Sequence, residues 1–170
     1  MEKQNGGSRK KPIVYVLVII LAAVIAAAVL MPVFRIYGNA MEPALKEGSI
    51  VVTLKKTKPD RGDICAFYYN NKILVRRVIG CPGDDVDIEQ DGTVFLNGQK
   101  LDEPYLDIPG SGDHDMELPL QIPDNQYFVL GDNRGKAIDS RNEKIGCIDE
   151  EQMIGKIVFC IWPMSCFGMK

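Results

Sequence analysis

From Ile13 to Val33 the chain reads IVYVLVIILAAVIAAAVLMPV, without one charged residue. About 20 such residues suffice to cross the hydrocarbon core of a bilayer as a helix, in which each backbone N–H finds a carbonyl of its own segment. Arg9, Lys10 and Lys11 precede the run and Arg35 follows it. The heavier cationic cluster is N-terminal, which predicts an inward-facing N-terminus. The expected division is a cytoplasmic tail at 1–12, a single-pass anchor in the cytoplasmic membrane at 13–33 and an extracytoplasmic domain at 34–170. A cleaved export signal is the competing reading, with Ala26-Ala27-Ala28 as its small-residue site. Such signals carry about 7–15 apolar residues, and here the run continues past the alanines through Leu30 and Val33.

The outer region reads as β structure. Many of the 16 glycines and 10 prolines stand at the ends of short apolar runs, which is turn punctuation rather than helix-bundle patterning. Ser49 to Leu54 is a β-branched strand. Asp63 to Tyr69 and Lys72 to Ile79 are strand-like runs joined by Asn70-Asn71, a pair that tolerates positive φ and predicts a tight hairpin. Val86 and Ile88 alternate with acidic residues, and Asp91-Gly92 and Asn97-Gly98 bracket a short strand at Thr93 to Leu96. Pro104 to Pro123 reads as a long loop. Tyr127 to Leu130 and Ile154 to Trp162 are further strands, and Asp149 caps a single helical turn running to Met153. The expected fold is mainly β: one antiparallel β-sheet domain of about 135 residues behind one N-terminal transmembrane helix.

Charge and cysteine content narrow the function. A net charge of −3, with no basic block interleaved with aromatics, argues against a nucleic-acid partner. The five cysteines are Cys65, Cys81, Cys147, Cys160 and Cys166, all in the outer region. None of them has zinc-knuckle spacing, so neither a metal nor a cofactor is expected. Cys65 and Cys160 lie within apolar runs, and mostly buried free thiols are the expectation. His114, the one histidine, stands between Asp113 and Asp115 in the long loop and reads as a solvated side chain.

Four strings occur in order behind the anchor: GNAMEPALKEGSIVV (Gly38 to Val52), RGDICAF (Arg61 to Phe67), VRRVIGCPGD (Val75 to Asp84) and YFVLGDNRGKAIDSR (Tyr127 to Arg141), followed by Ile154-Gly155-Lys156. The series resembles type I signal peptidases (peptidase S26), in their short form with one N-terminal anchor, over nearly the whole chain. The resemblance implies antiparallel sheets at the outer membrane face and endoproteolytic removal of signal peptides from exported preproteins. It also implies a serine nucleophile followed by Met-x-Pro, with a lysine as general base. Burial suits lysine to that task by lowering its pKa.

The chain departs from that pattern at the chemical centre. Ala40 stands at the nucleophile position, before Met41, and Arg76 at the base position, before Arg77. A methyl group cannot attack a carbonyl, and a guanidinium holds its proton too firmly to act as base. The resemblance further implies a threonine where Ala44 stands, an aspartate where Ser49 stands, and a lysine-orienting serine where Ala137 stands. Asp132, Asn133, Arg134, Asp139 and Arg141 match the supporting loop. The expectation is a catalytically impaired pseudo-peptidase that binds signal peptides of exported preproteins or other membrane proteins, in contact with membrane lipid. Competing readings are an active peptidase using other residues, an engineered inactive variant and a structural membrane subunit. Lys72, about 13 Å along the strand from Arg76, Ser49 and Cys81 are the candidate substitutes for the missing groups.

Overall fold

The computed structural model describes residues 10–106, 110 and 113–170. The expected tail as far as Arg9, and part of the Pro104–Pro123 loop, lie outside the described residues. The helix α1 spans Lys10–Leu30. Pro12 occupies its first turn, where a missing N–H costs no hydrogen bond. Its apolar side chains are exposed on every side, as befits a helix whose solvent is lipid. The Met31 N–H still donates to the Ala27 carbonyl at 2.8 Å, and Pro32 then ends the helical path.

Thirteen short elements follow: β1 (Val33–Arg35), β2 (Ile50–Lys55), β3 (Ile64–Tyr69), β4 (Lys72–Gly80), β5 (Asp85–Ile88), β6 (Val94–Leu96), β7 (Gln99–Lys100), β8 (Leu120–Gln121), β9 (Gln126–Leu130), β10 (Ile148–Asp149), a 3-10 turn (Glu150–Gln152), β11 (Met153–Trp162) and β12 (Gly168–Met169). Val33, which ends the apolar run, therefore begins a strand. β1 pairs antiparallel with β2, Val33 opposite Val52 and Arg35 opposite Ile50. The expected long loop also contains a strand, because β8 pairs with β5.

The larger sheet runs β1-β2-β11-β3-β4-β9-β10, and the smaller runs β7-β6-β5-β8. β11 is the central plank. One edge pairs with β2, while the other pairs with β3 at Met153 to Lys156 and with β12 at Phe159 and Cys160. Gly155 is required there, since a Cβ would lie 2.1 Å from the Leu54 carbonyl oxygen. Asn70 and Asn71 both take positive φ and close the β3–β4 hairpin as the sequence predicts. Asn97 and Gly98 do the same between β6 and β7.

Three apolar clusters fill the spaces between sheets. The one that matters for the site holds Ile36, Met41, Leu45, Val51, Ile64, Ile157, Cys160 and Cys166, with Val75 packed against it. Burial of each large aliphatic side chain there contributes about 1.5–3 kcal/mol. This cluster draws the sheet into a curl. As a result β1 and the first half of β4, separated by three strands in sheet order, face each other across a groove. Cys160 and Cys166 form a disulfide across the β11–β12 turn, with Cα atoms 5.8 Å apart. This corrects the expectation of free thiols for that pair. Cys65, Cys81 and Cys147 are free.

Candidate functional site

Gly131 marks the junction where three of the sequence-predicted positions meet. A Cβ built on it would lie 2.2 Å from the Ala137 Cβ, 2.7 Å from the Ala40 carbonyl oxygen and 3.5 Å from the Arg76 Cδ. Ala40, Arg76 and Ala137 thus converge, although they come from three separate segments. Gly131 is the first residue of the GDNR string. It is the only residue type that lets these backbones and side chains approach so closely. The Asn133 N–H, donating to the Ala40 carbonyl at 3.0 Å, ties the 131–141 loop to the Ala40 turn.

Strand alternation separates the two arginines of β4. Arg76 is 7% exposed. Its Nε and Nη2 donate to the Ile138 carbonyl at 3.0 and 2.7 Å, and its Nη1 donates to the Val75 carbonyl at 2.6 Å. Burial lowers its pKa from the ordinary arginine value, Asp139 pulling it up and Arg141 down. Arg77 turns the other way. It holds both oxygens of Asp132 at 2.8 and 2.6 Å, donates to the Gly62 carbonyl at 2.7 Å, and stacks 4.0 Å from the centroid of Tyr105.

The supporting loop is braced by its own charges. Asp139 accepts from Arg141 Nε at 2.9 Å and from the Gly131 N–H at 2.9 Å. Arg141 Nη2 donates to the Arg134 carbonyl at 2.6 Å, and Arg134 pairs with Glu103. Ser140, fully buried, accepts from the Val129 N–H at 3.0 Å. Met41, 2% exposed, anchors the Ala40 turn in the apolar cluster described above. Glu103, Tyr105 and the Ile138 carbonyl were not singled out by sequence reasoning. A backbone acceptor leaves no trace in residue identity, and Glu103 lies far from Arg134 along the chain.

The groove beside this junction encloses about 580 Å³. Phe34, Ile36, Tyr37, Ala40 and Met41 line one side, and the stretch from Lys72 to Arg76 lines the other. β4 pairs with β3 along Lys72 to Arg77 but with β9 only from Arg77 onward. The second backbone edge of Lys72 to Arg76 therefore has no strand partner among the described residues.

A family described as signal peptidase, peptidase S26, matches residues 9–162. Signal peptidase IB of Staphylococcus aureus strain COL is 40% identical over 154 residues, 79% of each chain. Signal peptidase I of Bacillus licheniformis is 33% identical over 154 residues, 81% of this chain and 80% of that one. The chain belongs to the type I signal peptidase family. A crystal structure of a signal peptidase I from Enterococcus faecalis V583 aligns with a TM-score of 0.50 at 33% identity, covering 59% of this chain and 97% of that one. Its likeness supports the antiparallel β fold behind an N-terminal helix.

With its exposed apolar helix, this signal peptidase family member is membrane-anchored. The residues that sequence reasoning offers as alternative reactive groups are poorly placed for that role. Burial pushes the Cys81 thiol up, and Asp84 adds to the shift, which disfavours a thiolate. Burial likewise pushes Cys65 to about 12 and Cys147 to about 11. Ser49 is fully buried, and its Oγ lies 4.0 Å from the Cys166 sulfur. Lys72 is exposed on the groove wall. His114 is exposed, its Nδ1 2.8 Å from the Met116 carbonyl oxygen.

Proposed function

We propose that this protein is an outward-facing member of the signal peptidase family that binds extended peptide segments of exported preproteins without cutting them. The observation that carries the reading is the convergence of Ala40 and Arg76 beside Gly131. The family reaction needs a hydroxyl and a neutral amine in contact. Here the corresponding positions carry a methyl group and a guanidinium. A guanidinium has donors but no lone pair to receive a proton. Ala137 likewise has no hydroxyl with which to orient a base.

Peptide binding makes different demands, and the groove meets them. An extended segment can add to the unpaired edge of Lys72 to Arg76 through main-chain hydrogen bonds, with Ile36, Leu74 and Met41 contacting its apolar side chains. The cluster of Arg9, Lys10 and Lys11 supports a cytoplasmic N-terminus and an external β domain.

The deciding experiment incubates the full-length protein, purified in detergent, with a fluorescently labelled preprotein and scores binding and cleavage together. Binding without cleavage is expected. Turnover that survives mutation of every trace contaminant's active site would establish a working peptidase. Neither binding nor turnover would leave a structural membrane subunit.

A further inference from the structure

An open strand edge is a template for another chain, and proteins blunt such edges with charged side chains or covering segments. The backbone groups of an antiparallel strand point by turns to one neighbour and to the other. The Val78 N–H donates to the Asp63 carbonyl at 2.8 Å, and the Val78 carbonyl accepts from the Gly62 N–H at 2.8 Å, so Val78 faces the β3 side. By alternation Arg76 and Leu74 face that side too, while Arg77, Val75 and Ile73 face the other. Arg77 accordingly meets β9, opposite Leu130, where the β4–β9 pairing begins. Val75 and Ile73 lie beyond that pairing and present their N–H and carbonyl groups to the groove.

The two carbonyls on this edge differ. That of Val75 accepts from Arg76 Nη1 at 2.6 Å. The same guanidinium grips the Ile138 carbonyl, on the facing loop, through Nε and Nη2 at 3.0 and 2.7 Å. Bonds with one ionised partner are roughly twice as strong as neutral ones, and the planar fork holds the side chain in one place. Arg76 is thereby wedged, buried, between the strand edge and the 131–141 loop, at the groove end next to Ala40. We propose that Arg76 is an autoinhibitory edge cap: its guanidinium occupies the backbone acceptor that an added strand needs at Val75 and shuts the groove at its Ala40 end until the side chain is displaced. The proposal rests on the peptide-binding reading above and gives that site a regulation. With the cap in place, an added strand can donate to the Ile73 carbonyl but not to that of Val75. To reach Ala40 it must break three hydrogen bonds of a buried cation, so the chain's own side chain competes with every incoming peptide. Lysine in the same position has no fork and cannot hold both carbonyls.

The test uses a fluorescein-labelled, C-terminally amidated ten-residue peptide of alternating valine and threonine, and a series in which each backbone amide in turn is N-methylated. Binding to the full-length protein in detergent micelles is followed by fluorescence polarisation. Arg76→Ala is expected to bind the parent peptide about tenfold or more tighter than the unmodified protein, the range of one charge-assisted hydrogen bond. Arg76→Lys is expected to fall between them. In the unmodified protein one methylated amide is expected to weaken binding, the one that meets the Ile73 carbonyl. In Arg76→Ala a second sensitive amide is expected two residues from the first, where the Val75 carbonyl has become free. Equal or weaker binding by folded Arg76→Ala overturns the cap and leaves the peptide groove standing, as do two sensitive amides in the unmodified protein. Binding by Arg76→Ala alone supports the cap, and binding by neither protein overturns both readings. The methylation series on the unmodified protein decides the matter if the variants fail to fold.

Discussion

Replacing Arg77 by Met tests whether the scaffold beside the site is held by a buried charge pair. Arg77 and Asp132 side chains are 11% and 1% exposed and share two hydrogen bonds. Methionine keeps most of the packing volume against Tyr105 but leaves Asp132 buried and unpaired. Removing one partner of a buried pair costs about 3–5 kcal/mol. In the native protein burial already holds the Asp132 carboxyl above the ordinary carboxylate range, with Arg77 pulling it down. Without Arg77 it rises further. A carboxyl whose folded pKa exceeds the unfolded value of about 3.9 keeps its proton longer when folded. Stability then falls as pH rises from about 4 through the folded pKa. The variant should therefore be least stable near pH 7 and recover toward pH 4. Urea unfolding of the detergent-solubilised full chain, followed by circular dichroism at several pH values, measures this. A deficit below about 1 kcal/mol at pH 7, or one that does not shrink on acidification, would refute the reasoning.

Further predictions concern the site, its packing and the topology. Ala40→Ser and Arg76→Lys should each leave preprotein cleavage undetectable, while the double variant gains roughly 10²-fold or more over either, because nucleophile and base act as a unit. Cleavage by either single variant would sink the assignment of the two positions. Gly131→Ala should cost at least about 1–3 kcal/mol of stability by overpacking, since the new methyl group meets the Ala40 carbonyl and the Ala137 methyl group; an unchanged unfolding midpoint would contradict the close approach. Asp84 is held below the ordinary carboxylate range because hydrogen bonds from Asn97, the Cys81 N–H and Arg61 outweigh its burial. Asp84→Asn should thus lose stability at and above about pH 4 and approach the native protein only at lower pH, as the native carboxyl is protonated through its depressed folded pKa. Protease added to intact cells should digest the β domain, and its full protection would reverse the proposed orientation.

Parts of this structure were legible because a local rule decides them. Asn70-Asn71 and Asn97-Gly98 demand left-handed backbone, and few chain paths other than a hairpin satisfy that. The opposed directions of Arg76 and Arg77 follow from strand alternation alone. β8, β10 and β12 were not legible: two residues carry no period, and each strand exists only because a distant partner, β5, β9 or β11, offers it an edge. Val33 is as apolar as the anchor residues before it, so composition could not assign it to a sheet. The Cys160–Cys166 pairing depends on a turn after Trp162 that brings β12 back beside β11. At the site, the resemblance to type I signal peptidases pointed to Ala40, Arg76 and Ala137, but the capping of Arg76 by the Ile138 carbonyl is a property of the folded loop.

Only Met31 and Pro32 lie between the anchor helix and β1, and the groove wall begins with β1 itself. A chain spans at most about 3.3–3.6 Å per residue, so Ile36, six residues beyond Leu30, stays within about 20 Å of the helix end. The binding cleft is thus on a short leash to the bilayer surface. Under the proposed function, a peptide held at the membrane would reach it by lateral diffusion in two dimensions, at an effective concentration far above its bulk value.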